Sequence, residues 1–243
     1  MAFTGKLLIA TPFYSMQGWS PYISALVKSI RILDMAEVTW DFWNLSGDSY
    51  IDRARNKIAN DFMESEFTDL LFIDSDMSWD EMGFARLLCR DEEIVGCGYP
   101  CKNNWDFFGC LLNTTGPEGK PIVENGLLSA QSAPTGLMKI KRTVFEKLAQ
   151  KDPDNYYMDN AQKPPKVVYN FFGRMPPLGE DTSFCKRWRD IGGKIWVEPN
   201  VTINHYGFKA YTGNYHEFLL NYKPEVHDID EAVAIVNTEA VPV

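Results

Sequence analysis

At 243 residues, 45% hydrophobic and 14% aromatic, the chain has the composition of one large folded domain or two closely packed ones, not of a disordered segment. Its formal net charge of −9 argues against a protein that coats nucleic acid nonspecifically, although a local basic patch is compatible with an acidic whole. No apolar run approaches the ~20 residues of a membrane span, residues 1–6 lack a secretory pattern, and five cysteines without paired zinc spacing point to reduced thiols in a cytosolic protein.

Lys6 to Ala10 reads as a buried strand with Thr11-Pro12 as its exit loop. Ser20-Pro21 then supplies an N-cap and a first-turn proline for an amphipathic helix to about Leu33. Val38 to Trp43 alternates as a second strand, giving a βαβ opening. A helix from about Tyr50 to Glu64 carries Arg53, Arg55 and Asn56 near its start. Leu70 to Ile73 is a short run with the character of a strand buried on both faces. Ser78 and Glu81 have capping-box spacing ahead of a helix through Leu88, and Glu93 to Pro100 is a strand ending in a glycine-rich turn.

Residues 101–135 read as loops and small antiparallel strands, one side of an acceptor cleft. Gly136 to Ile140 is a strand, Thr143 to Gln150 a short helix, 151–166 a loop, and Val167 to Phe172 a strand. Gly179-Glu180-Asp181-Thr182 opens a helix that ends at Gly192-Gly193. Lys194 to Pro199 and Val201 to His205 are extended. We expect a single domain over 1–221, followed by an acidic tail, 222–243, suited to a terminal helix or to homo-oligomeric association.

The chemistry gathers where strands end. Asp74-Ser75-Asp76 follows a buried strand directly, and in open α/β sheets ligands sit beyond the carboxyl ends of strands. Two carboxylates so spaced are hard oxygen ligands suited to Mn²⁺ or Mg²⁺, although one acid capping a helix and one solvated would look the same. Thr11-Pro12, the Arg53/Arg55/Asn56 cluster, Glu180-Asp181 and the run His205 to Lys209 occupy comparable places, as a single cleft requires. Arg53 and Arg55 are two apart on a helix, so they point different ways and one is structural.

The order strand-Thr-Pro, Ala54-Arg55-Asn56, Leu-Phe-Ile-Asp-Ser-Asp, Gly136-Leu137-Met138, Gly-Glu-Asp-Thr-Ser-Phe and His205 resembles the GT-A-fold glycosyltransferases, family-2-like, which include small single-domain phage and bacterial versions. The resemblance spans roughly 6–210 and implies an α/β/α sandwich, Rossmann-like, with a mostly parallel central sheet and a small antiparallel C-terminal part. It implies a cytoplasmic enzyme (host cytoplasm if phage-encoded) that uses a nucleoside-diphosphate sugar and Mn²⁺ or Mg²⁺. By the same resemblance Asp76 binds metal, Asp74 touches ribose or reaches the metal through water, and His205 completes the site. Glu180 and Asp181 are the acid pair of inverting members, with Asp181 as general base. Thr11, Pro12, Arg53, Arg55, Asn56 and Ser75 line the nucleotide pocket, Gly136 keeps space beside the sugar, and Lys209 holds the diphosphate. Trp105, Asp106, Phe107 and Phe108 are acceptor-stacking candidates, with core packing as the alternative.

Two other readings stay open. A sugar-nucleotide nucleotidyltransferase shares the sheet and the metal-binding acids, but would show a glycine-rich phosphate loop where this chain has Thr11-Pro12-Phe13-Tyr14. A non-catalytic nucleotide- or carbohydrate-binding module is the third. The acceptor is undetermined by sequence: glycan, lipopolysaccharide, protein or a modified DNA base.

Overall fold

Leu7 to Ala10 have no solvent exposure at all, and their side chains alternate between two separate cores. That is how a strand buried on both faces divides a three-layer protein. The computed structural model describes residues 3–102, 108–115, 119–161, 163–207 and 210–221. The first half runs β1 (Lys6–Phe13), α1 (Ser20–Met35), β2 (Thr39–Ser46), α2 (Ile51–Met63), β3 (Asp69–Ile73), β4 (Met77–Trp79), α3 (Glu81–Leu88) and β5 (Ile94–Gly96). Short strands β6 (Leu111–Leu112), β7 (Thr114–Thr115), β8 (Lys120–Pro121) and β9 (Val123–Glu124) lead to β10 (Leu127–Ser132) and β11 (Leu137–Lys141). The chain continues with α4 (Arg142–Lys151), β12 (Tyr156–Asp159), β13 (Lys166–Tyr169), α5 (Glu180–Asp190), β14 (Ile195–Val197), β15 (Thr202–Tyr206), β16 (Ala210–Asn214) and α6 (Tyr215–Asn221).

The central sheet has the order β2-β1-β3-β11-β5-β14-β10-β6, with β9 on β10. Its strands run mostly one way, since β11 is antiparallel to both β3 and β5, and β10 to β14, β6 and β9. On one face Leu8, Leu70, Phe72 and Met138 pack with Ile58 and Phe62 of α2, Phe145 of α4, and Phe184 and Trp188 of α5. On the other, Leu7, Ile9, Leu71 and Ile73 pack with Tyr22 and Leu26 of α1 and Phe84 and Leu87 of α3. Burying each such side chain contributes about 1.5–3 kcal/mol before chain entropy is charged against it. Among the described residues no helix is long and apolar enough to cross a membrane.

Several boundaries differ from the sequence expectation, each for a local reason. β1 continues through Thr11-Pro12 to Phe13, since β2 pairs along its whole length while pairing with β3 stops at Ala10. The amide that Pro12 lacks is therefore not missed by β3. Ser20 lies inside α1 and Trp19 takes the cap position without a side-chain bond. Ser78 belongs to β4, and it is Asp80 that caps α3, accepting from the Gly83 amide at 2.7 Å. The stretch expected to be a loop between α4 and β13 contains β12, which forms a hairpin with β13.

Candidate active site

The decisive local structure is a small three-stranded sheet, β16-β15-β4, that begins one residue after Asp76. β15 pairs antiparallel with β4 in a register that sets His205 opposite Met77, and the Tyr206 amide donates to the Asp76 carbonyl at 2.7 Å. Two groups far apart in sequence are thereby brought together: His205 Nε2 lies 3.7 Å from Asp76 Oδ1.

The His205 ring has one defined tautomer. Its Nδ1 is 2.9 Å from the Pro100 carbonyl oxygen, which can only accept, so Nδ1 carries the proton and Nε2 presents a lone pair to Asp76. Burial, helped by the nearby Lys102 charge, pushes the imidazole below its ordinary pKa against the Pro100 bond and Asp76, which favours the neutral ring. Tyr99 packs edge-on against it, with ring centroids 5.1 Å apart. A neutral imidazole whose other nitrogen is anchored to a carbonyl, beside a carboxylate, suits a divalent cation. Among the described residues no group of three or more His, Cys, Asp or Glu is gathered for a metal. A cation there would take Asp76 and His205 from the protein and the rest of its ligands from phosphate and water, as Mg²⁺ commonly does.

Asp74 has another partner. Arg55, on α2 and 3% exposed, donates from Nη2 to both Asp74 oxygens at 2.8 and 3.1 Å, and its Nη1 pairs with Glu180 at the start of α5. Arg55 therefore joins the strand-exit loop to the α5 N-terminus instead of facing a nucleotide pocket. Its Nε is buried without a hydrogen-bond partner. We expect Arg55→Met to lower stability by about 3–5 kcal/mol, the usual cost of breaking a buried ion pair from one side. Urea unfolding of the variant and the wild type at pH 7 measures it.

Asp181, next to Glu180, accepts from the Thr182 amide at 2.7 Å. Burial first, and then the Glu180 charge, raise its pKa from the ordinary aspartate value, against Arg55 and that amide bond. An acid so placed at a helix start, with its pKa raised and within electrostatic range of Asp74, is a candidate proton acceptor.

A cavity of about 230 Å³ opens at the strand ends, lined by Pro12, Phe13, Tyr14, Asp48, Asp74, Ser75, Asp76 and Arg174 among others. Three of these, Pro12, Asp74 and Ser75, are nucleotide-pocket candidates from the sequence. Thr11 is fully buried with its hydroxyl 2.6 Å from that of Tyr22, and Asn56 is buried against Asn170 and the Phe172 amide, so both face the interior. Arg53 pairs with Asp48 at 2.7 Å and lies over the Tyr50 ring. A Cβ on Gly136 would meet the Tyr99 hydroxyl at 2.4 Å, so what requires glycine there is Tyr99. Phe108 is in the core, stacked on Tyr215, which answers for the packing alternative. Lys209, Trp105, Asp106, Phe107 and the tail lie outside the described residues. Tyr14, Asp48 and Lys102 were missed by the sequence reading, although Asp48 follows β2 as Asp74 follows β3. A larger cavity, about 490 Å³, lies between α4, β13 and α5, away from the strand ends, with no acid–histidine pair among its lining residues.

No family model matches the chain, and no curated protein matches it in sequence. Among solved structures it is similar to GalNAc-T7 with UDP, GalNAc and Mn²⁺, with a TM-score of 0.51 at 12% identity, over 83% of this chain and 43% of that one. The fold is GT-A-like. This chain thus spans less than half the length of that protein. A Drosophila β1,4-galactosyltransferase 7 mutant with manganese, UDP-Gal and xylobiose gives a TM-score of 0.44 at 14% identity, over 95% and 79% of the two chains. S. aureus TarS 1-349 with UDP-GlcNAc gives 0.41 at 14% identity, over 95% and 64%.

Proposed function

We propose that this GT-A-like chain transfers a sugar from a nucleoside-diphosphate donor to an acceptor hydroxyl, with inversion. The observation that carries the reading is the pairing of β4 with β15, which faces the His205 Nε2 lone pair toward the Asp76 carboxylate beside the strand-end cavity. Asp76 and His205 would hold Mn²⁺ or Mg²⁺, which supplies positive charge to the departing diphosphate. Pro12, Tyr14 and Ser75 line the space for the nucleoside, with the Tyr14 ring exposed for contact with a base. Arg55 fixes Asp74 for a ribose contact and occupies Glu180, leaving Asp181 to take the acceptor proton. The acceptor hydroxyl would then approach from the α5 side of the cleft, where Asp181 lies.

Against nucleotidyl transfer stands the continuation of β1 through Phe13 in register with β2, where a glycine-rich phosphate loop would be needed. The test is a thermal-shift screen of UDP- and GDP-sugars with and without Mn²⁺, followed by donor hydrolysis. These probes match the UDP and Mn²⁺ held by the GalNAc-T7 structure. A donor with Mn²⁺ should raise Tm, since binding to the folded state stabilises it by mass action. Binding without hydrolysis or transfer would leave a binding module, and no Mn²⁺-dependent shift would end the metal reading.

A further inference from the structure

The two oxygens of the Asp76 carboxylate face different neighbours. Oδ1 faces His205, and Oδ2 forms an ion pair with the Lys102 ammonium. The side chains of Lys102 and Asp76 are 32% and 28% exposed, so the pair can be reached from solvent. Lys102 belongs to the segment that follows β5, two residues after Pro100, whose carbonyl orients the His205 ring. One short stretch of chain thus aims the imidazole and also delivers a positive charge to the carboxylate beside it. An ammonium and a divalent cation on the same carboxylate repel each other, so Lys102 opposes a metal arriving alone. A nucleoside diphosphate changes that balance, because its phosphates offer the ammonium another anionic partner.

We propose that Lys102 is a resident counter-cation of this site: it neutralises Asp76 while no metal is bound, and pairs with the diphosphate when nucleotide and divalent cation occupy the cleft together. This rests on the metal-dependent donor reading above. It makes metal binding and nucleotide binding mutually reinforcing, because each relieves the charge the other would leave unpaired.

The experiment titrates Mn²⁺ alone, and then UDP in the presence of Mn²⁺, into the wild type, Lys102→Met and Lys102→Gln, following free Mn²⁺ by its electron paramagnetic resonance signal and UDP by calorimetry. Removing one unit charge within a few ångströms of a dication should tighten Mn²⁺ binding without nucleotide roughly tenfold in both variants, and weaken UDP binding in Mn²⁺ by a similar factor. Lys102 is at the surface, and matching thermal melts of the two variants show that the fold is kept. If Mn²⁺ alone binds no tighter to either variant, or if UDP affinity is unchanged, the role of Lys102 is overturned while wild-type binding of Mn²⁺ and UDP leaves the metal reading standing. If wild type and variants all fail to bind Mn²⁺ with or without UDP, the metal reading falls and Lys102 falls with it.

Discussion

Asp181→Asn should leave donor binding intact while lowering sugar transfer by about 10²–10⁴-fold, the range spanned by a positioned general base. Asparagine keeps the shape and can still accept the Thr182 amide bond, but it cannot take a proton from the acceptor hydroxyl. Two further readouts separate this role from a structural one. Burial and the neighbouring Glu180 charge raise the Asp181 pKa, so the acid limb of kcat/KM should be shifted upward from that of an ordinary aspartate and be absent in the variant's residual activity. The same shift has a sign for stability. A carboxyl whose folded pKa exceeds its unfolded one costs stability when ionised, and the cost disappears as pH falls through the folded value. At pH 7 the uncharged asparagine should therefore give a Tm equal to or above that of the wild type. Normal transfer would eliminate Asp181 as base, and a large fall in Tm would mark it as structural.

Asp76→Ala should abolish Mn²⁺ binding and with it all Mn²⁺-dependent donor affinity. Among the described residues the Asp76 carboxylate is the one paired with His205 Nε2, and Asp74 cannot replace it while Arg55 holds both Asp74 oxygens. His205→Ala should cost less, since water can substitute for one nitrogen ligand on a hard cation. Calorimetry of Mn²⁺ with UDP reads both variants directly. Donor affinity in Asp76→Ala that still rises with Mn²⁺ would place the cation elsewhere.

The layers of the fold were legible because they rest on short-range signals. Runs such as Leu70 to Ile73 are too short for a helix of their own and read as buried strands, and α2 and α5 carry their apolar residues at helical spacing. Asp74, Asp76 and Glu180-Asp181 were legible for a related reason: strand exits and helix starts are marked in sequence and sit at one edge of the sheet. Pairing and direction were less visible. That Arg55 bridges Asp74 and Glu180, that Thr11 and Asn56 face inward, and that Gly136 yields to Tyr99 all follow from contacts between distant segments. No local pattern encodes them. Lys102 was invisible for the same reason, since an exposed lysine in a polar loop has no signature until the carboxylate it meets is known. The β12 hairpin strand was hidden by the prolines and acids that flank it.

The β4–β15 pairing carries one more consequence. It joins the first third of the chain to a strand formed almost at the end of the described residues, with Asp76 just before one strand and His205 on the other. During synthesis the central layers can collapse while that pair is still open, because its second member has not yet been made. If Asp76 and His205 hold the cation as proposed, its affinity would be acquired late, and a species with native helices but an undocked β15 would lack it. Mn²⁺ uptake during refolding would then time the last closure of the sheet, separately from the collapse that precedes it.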